Sequence, residues 1–182
     1  MVTLSVDVAI VGAGNAALCA ALAAAEAGAN VVVLEAASED ERGGNSAYTA
    51  GAMRVVYDGV DDVQKLVPDL GQSEIESTDF GNYSFEDYFD DLARVTQYRG
   101  DPDLLEILIR RSFSTLEWMR SKGVRFQPSY GRQAFKVDGR FKFWGGLAVE
   151  TWGGGQGLMP PGQHVDRHDA VLLDDVVAAR RA

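Results

Sequence analysis

Gly12-Ala13-Gly14-Asn15-Ala16-Ala17 has the spacing G-x-G-x-x-A, and Glu35 follows 23 residues after Gly12. Gly12 permits a sharp turn from strand to helix, and Gly14 omits the Cβ that would block close approach of a pyrophosphate. Ala17 is small enough for helix and strand to pack closely. N–H groups at the start of the helix, around Asn15 and Ala16, would hold the diphosphate at the positive end of the helix dipole. Glu35, with Ala36 beside it, would accept hydrogen bonds from the ribose hydroxyls of an adenosine and repel a 2′-phosphate, which disfavours NADP. FAD and NAD share this half-site, so the turn alone leaves both open. A glycine turn also occurs in α/β proteins that bind no nucleotide, and only its context separates the two.

The flanking sequence supplies that context. Val6 to Val11 is a β-branched apolar run that ends on a glycine, as expected of a parallel strand buried on both faces. Asn15 to Ala27 is mostly Ala and Leu, strong helix formers, and Gly28 supplies a left-handed stop. Asn30 to Leu34 is a second β-branched run leading into Glu35. Strand, turn, helix and strand within about thirty residues form a βαβ unit with a right-handed crossover. Arg42-Gly43-Gly44-Asn45-Ser46 then precedes Ala50-Gly51-Ala52. Paired glycines there could expose successive N–H groups as an anion nest, with Asn45 and Ser46 adding donors. A polar surface turn explains the residues equally well.

Residues 6–35 and 42–52 together closely resemble the FAD-binding start of the fumarate reductase/succinate dehydrogenase flavoprotein family, and within it the FAD-dependent tricarballylate dehydrogenases. The likeness extends more loosely through Phe143-Trp144-Gly145-Gly146 and Gly153 to Leu158. The resemblance implies that Arg42, Gly43, Gly44, Asn45, Ser46 and Gly51 contact FAD. Some members attach flavin covalently through a histidine at the position of Asn45, so non-covalent FAD is implied here. Also implied is hydride transfer between flavin N5 and a carbon beside a carboxylate of a small di- or tricarboxylate, with a protein as possible electron acceptor.

Composition bounds the rest. The 182 residues carry 17 Lys and Arg against 27 Asp and Glu, a net charge of −10, and 46% are hydrophobic. That excludes a disordered chain and a general affinity for nucleic acid, whose phosphate term needs a basic surface. Cys19 is the single cysteine, so no internal disulfide or cysteine zinc site can form. The apolar N-terminal stretch lacks the positive charge of a secretion signal, its first basic residue being Arg42, and glycines and Glu26 interrupt it too often for a membrane span. A soluble, cytoplasmic protein is expected.

Eleven of the residues between Asp58 and Asp91 are acidic and only Lys65 is basic, which reads as a solvated face rather than a metal site. Ser84 to Arg99 has the spacing of an amphipathic helix capped by Ser84 and Asp87, with Phe85, Tyr88, Phe89, Leu92 and Val95 inward. A second helix is expected from Pro102 to Lys122, capped by Asp101 and stopped at Gly123. Its buried stripe would be Leu105, Leu108, Ile109, Phe113, Leu116 and Met119. Ala134 to Phe143 alternates around Asp138-Gly139, a hairpin with a type I′ turn. Its Lys136, Arg140 and Lys142 could face an anionic substrate, though a solvated hairpin face accounts for them more simply.

The end departs from the resemblance. Met159-Pro160-Pro161-Gly162 cannot continue a helix, and divergence at about residue 159, by truncation or frameshift, is expected. His164 and His168 have a metal-like spacing with Asp166 and Asp169 nearby, but no third fixed ligand, so no metal site is assigned. The expected fold is α/β: a Rossmann-like FAD-binding start (1–57), a helical and hairpin insertion (58–150) and a return toward the FAD domain with an atypical tail (151–182), together incomplete. No catalytic residue is assigned. The competing readings are a non-catalytic dinucleotide-binding fragment and an NAD-dependent oxidoreductase.

Overall fold

The computed structural model describes residues 5–38, 40–158 and the backbone of 170–172. The proline-rich stretch from 159 and the His164/His168 pair lie outside the described residues. The chain divides into two compact units, Met1–Thr49 with Gly154–Ala182, and Ala50–Gly153; the borders expected from sequence lie at 57/58 and 150/151.

The first unit is built on strand β1 (Val8–Val11), helix α1 (Asn15–Glu26) and strand β2 (Val31–Leu34). β1 and β2 pair in parallel with Val8 opposite Val31 and Val11 opposite Leu34. A strand at Ala170–Leu172 lies parallel on the other side of β2, with Ala170 opposite Val31. α1 covers this sheet with alanine methyls, and Ala13, Ala21, Val31 and Val33 form the core, joined by Val8, Ile10 and Ala24. Small side chains let the helix axis approach the strands closely. Gly28 ends α1 as expected: at φ +86° it brings the Ala29 N–H back to the Ala24 carbonyl (3.1 Å) and its own N–H to the Ala25 carbonyl (2.9 Å). These are the paired bonds of a Schellman stop.

One expectation for this unit fails. β2 is buried at three successive positions, but β1 alternates, and Val11 is 84% exposed. Among the described residues β1 is an edge strand, covered on one face only. Its β-branched composition reported strand propensity correctly and burial incorrectly.

The second unit holds the remaining elements. After the short helix α2 (Gly44–Ala47) of the first unit, these are in chain order β3 (Ala52–Met53), β4 (Tyr57–Asp58), α3 (Val60–Leu66), α4 (Gln72–Ser77), β5 (Thr78–Asp79) and β6 (Asn82–Tyr83). There follow α5 (Phe85–Val95), α6 (Pro102–Ser121), β7 (Phe126–Pro128), α7 (Tyr130–Gln133), β8 (Ala134–Val137), β9 (Arg140–Phe143) and β10 (Val149–Thr151). β10 runs antiparallel between β3 and β7, while β9 pairs with β8 and, in parallel, with β5. Val55, Val63, Leu66, Ile109, Phe126 and Val149 fill its core.

Local chemistry explains its boundaries. The Ser84 hydroxyl accepts the Asp87 N–H (3.1 Å) and the Asp87 carboxylate accepts the Ser84 N–H (3.1 Å), closing a capping box on α5. Asp101 accepts the N–H groups of Asp103 and Leu104 to cap α6. Asp138 (φ +50°) and Gly139 (φ +83°) make the turn between β8 and β9. Ser84→Ala removes the hydroxyl half of the box and is expected to destabilise the fold by about 1 kcal/mol, read as a lowered urea midpoint with an unchanged slope.

α5 stops at Val95 rather than Arg99, because Gln97 and Tyr98 turn left-handed (φ +55° and +57°) and the Tyr98 N–H returns to the Ala93 carbonyl (2.7 Å). Val95 (64% exposed) and Leu108 (50%), expected in the buried stripes, face solvent; Ser112 is buried on α6 instead, its hydroxyl accepting the Val56 N–H. The acidic run is also more than a solvated face. Asp62 pairs with Lys65, Asp69 with Arg125, Asp79 with Lys142 and Asp91 with Arg54 and Arg94.

Candidate dinucleotide site

The turn after β1 is held at both ends. Gly12, at φ +97°, donates its N–H to the Leu34 carbonyl (2.7 Å), so the first strand passes into the turn while still tied to the second. The next N–H, that of Ala13, donates to Glu35 Oε2 at 2.7 Å. Glu35 Oε1 accepts the N–H groups of Ala36 (2.8 Å) and Ala37 (2.9 Å). The carboxylate at the end of β2 thus sits against the glycine turn and is fixed by three backbone donors. The Ala37 N–H holds its carboxyl below the usual glutamate range; burial opposes this, and the Ala13 and Ala36 N–H groups reinforce it.

That direction has a pH consequence. A carboxyl whose folded value is lowered stabilises the fold in full above the ordinary glutamate range, and the stabilisation disappears as pH falls through the lowered folded value. Urea unfolding of the wild type and of Glu35→Gln should therefore differ by a constant amount near neutrality and converge in acid. A difference unchanged into acid would contradict it.

α1 begins at Asn15 behind an extended Gly14 (φ −75°, ψ 174°), which has no side chain to cap the helix. The cap comes instead from Ser46, whose Oγ accepts the Asn15 N–H at 3.1 Å. The N–H groups of Gly14, Ala16 and Ala17 take no acceptor among the described residues. Expectation and geometry differ here: two of the turn's N–H groups, those of Ala13 and Asn15, are already engaged by side chains. The Asn15 side chain faces along the helix, its Oδ1 3.7 Å from the half-buried Cys19 Sγ, whose thiol burial pushes up.

The Arg42-to-Ser46 segment is brought to this turn. Gly43 (φ +105°, buried) and Gly44 (φ +52°, exposed) swing the chain into α2. A Cβ built on Gly14 would lie 3.5 Å from both the Gly43 carbonyl oxygen and Ser46 Oγ, so the two glycine segments meet at that point. Arg42 is half-buried, while Ala36 and Asn45 are exposed. Gly51 belongs to the second unit, where it is buried and its carbonyl accepts the Thr151 N–H (2.9 Å).

Sequence reasoning did not single out Gly155. It lies in the 3₁₀ helix Gly154–Leu158 and donates its N–H to the Thr49 carbonyl (2.8 Å). A Cβ there would fall 1.8 Å from the Ser46 carbonyl oxygen. Its signal was the glycine string Gly153 to Gly155, in which nothing marks the one glycine that needs the space.

In the second unit several ionisable groups pair with one another. Arg54 donates to the Tyr83 hydroxyl (2.8 Å) and to Asp91 (3.1 Å), and Tyr83 donates to Asp91 (2.7 Å). Burial first, then the bond to Asp91, pushes the Tyr83 hydroxyl up to about 12. Among the described residues no three His, Cys, Asp or Glu side chains are grouped to hold a metal, and no helix is long and apolar enough to cross a membrane.

The profile of the FAD binding domain family matches residues 7–165, most of the chain and all of the turn, Glu35 and α2. The chain belongs to that family. The chain is similar to urocanate reductase of Eggerthella lenta, 34% identical over 133 residues (69% of this chain, 18% of the relative). Cytochrome-type fumarate reductase of Shewanella frigidimarina is 31% identical over 120 residues (66% of this chain, 18% of the relative). Among solved structures, the open conformation of a flavocytochrome c3 fumarate reductase superposes with a TM-score of 0.53 at 25% identity, covering 84% of this chain and 23% of that one. The chain spans 18% of the length of these curated relatives.

The geometry fits the family's cofactor. FAD brings a diphosphate, which needs donors, and a ribose, which needs an acceptor. The turn presents three N–H groups without acceptors among the described residues beside the Glu35 carboxylate, and Gly14 leaves the intervening space without a side chain.

Proposed function

We propose that the chain is the FAD-binding portion of a flavin-dependent oxidoreductase acting on the CH–CH bond of a small di- or tricarboxylate, tricarballylate-like in class. The observation that supports this reading is the 2.7 Å bond from the Ala13 N–H to Glu35, which sets the carboxylate proposed to accept from ribose beside the turn proposed to hold the diphosphate. Gly12, Gly14, Asn15, Ala16, Ala17, Glu35 and Ala36 would hold the adenosine diphosphate half. Arg42, Gly43, Gly44, Asn45, Ser46 and Gly51 would serve the flavin half. Bound FAD would supply hydride transfer at the flavin ring. Asn45, standing where a covalent attachment would need histidine, supports non-covalent binding.

Fumarate and urocanate reductases among the relatives support reduction or formation of a C=C bond next to a carboxylate, and the tricarballylate class rests on the sequence resemblance. No residue of this chain is assigned to hold the substrate carboxylates or to donate the proton. A cytoplasmic location and a protein electron acceptor belong to the same proposal. Parallel titrations with FAD, NAD and NADP test the cofactor, and tricarballylate with an artificial electron acceptor tests turnover. The expected result is retention of FAD alone and no turnover by this chain. Retention of NAD, or robust turnover, would overturn it.

A further inference from the structure

α2 stands between two parts of the first unit, and each end of Ser46 touches one of them. Its hydroxyl accepts the first N–H of α1, from Asn15, at 3.1 Å. Its carbonyl oxygen lies where a Cβ on Gly155 would be 1.8 Å away, with Thr49 Oγ1 at 2.8 Å from the same point. The Gly155 N–H donates to the Thr49 carbonyl (2.8 Å), and the Thr49 hydroxyl donates to the Ser46 carbonyl (2.9 Å). A contact of 1.8 Å to backbone cannot be absorbed by turning a side chain. Any residue but glycine at 155 must push α2 off the 3₁₀ helix or move both.

We infer that Gly155 is a positioning residue for the cofactor site, acting through Ser46: the missing Cβ at 155 lets α2 seat deeply enough for the Ser46 hydroxyl to cap α1 at Asn15. The inference rests on the proposed FAD site. Gly14 cannot cap the helix itself, so an oxygen brought from 31 residues away takes that role. When a diphosphate arrives at the same helix end, that hydroxyl either yields the Asn15 N–H to a phosphate oxygen or turns its own proton toward the phosphate. In both cases the ligand reads the position of α2, and α2 reads residue 155. Gly155 touches no reacting atom in this scheme.

The test uses the full chain in three variants, Gly155→Ala, Ser46→Ala and the double substitution. Two readouts are FAD affinity by flavin fluorescence and hydrogen exchange of the Asn15 amide without FAD. G155A is expected to weaken FAD by about tenfold or more, a shift of about 1.4 kcal/mol, and to release the Asn15 amide to fast exchange. S46A should do the same to that amide, and adding S46A to G155A should weaken FAD no further, because both remove one cap. FAD affinity within about twofold of wild type in G155A would overturn the inference. So would equal Asn15 protection, or effects of the two substitutions that simply add. If G155A does not fold, wild type and S46A suffice: FAD should slow exchange of the Gly155 amide in wild type but not in S46A, and equal slowing in both would overturn the coupling. Failure of wild type to bind FAD would instead remove the proposed function, leaving the Asn15 exchange result to judge the cap on its own.

Discussion

Glu35→Ala is expected to lower FAD affinity by roughly ten- to a hundredfold, the equivalent of about 1.5–3 kcal/mol for hydrogen bonds to a charged group. The carboxylate accepts three backbone N–H groups, and one donor, Ala13, is only 2% exposed. Alanine at 35 leaves that N–H without its charged acceptor, which destabilises the fold by about 1–3 kcal/mol even before ligand is added. Glu35→Gln keeps one oxygen that can accept the Ala13 N–H, so its stability loss should be smaller while its ribose contacts still weaken. Fluorescence titration and urea unfolding of the two variants together separate the structural from the ligand-binding share. Unchanged FAD affinity in E35A would place the ribose away from this acid.

Gly14→Ala is expected to weaken FAD by about a hundredfold or more while leaving the melting temperature within about 2 °C of wild type. The backbone at Gly14 is extended, a conformation any residue adopts, and an added Cβ meets the Gly43 carbonyl oxygen and Ser46 Oγ at an ordinary 3.5 Å. The empty chain therefore tolerates alanine, and the methyl would take space in the proposed diphosphate site. Gly12→Ala reverses the pattern. A Cβ there meets nothing within 4 Å, but φ is +97°, so the substitution strains the backbone by about 1–2 kcal/mol and should lower the melting temperature. Thermal unfolding and flavin titration of both variants distinguish the two glycines, which one motif treats alike. Equal loss of stability in G14A and G12A would show that Gly14 serves the turn rather than the ligand.

Element boundaries set by local chemistry were legible in the sequence: the Gly28 stop, the Ser84 and Asp87 box, the Asp101 cap and the Asp138-Gly139 turn depend on residues within a few positions of one another. So was the G-x-G turn, because each glycine there answers to a strand and helix that announce themselves by composition. Contacts carried by register were not. Glu35 was expected to wait for a ribose, yet it already holds the Ala13 N–H, which follows only from pairing Val11 with Leu34. Ser46 was one donor in a polar loop until Gly43 and Gly44 turned that loop onto α1. Gly155 was one of three consecutive glycines, and only the neighbouring backbone shows which of them needs the space. Exposure failed for a related reason. Val11, Val95 and Leu108 fit their elements' periodicity, but periodicity describes a face and says nothing of whether another element covers it.

The most direct measurement is the visible absorption spectrum of the purified chain after saturation with FAD and gel filtration, taken before and after denaturation. Flavin bands that travel with the protein and pass into the protein-free supernatant on denaturation are the expected result. A colourless protein peak at saturating FAD would contradict the assignment of the Gly12-to-Ala17 turn and Glu35 as a cofactor site.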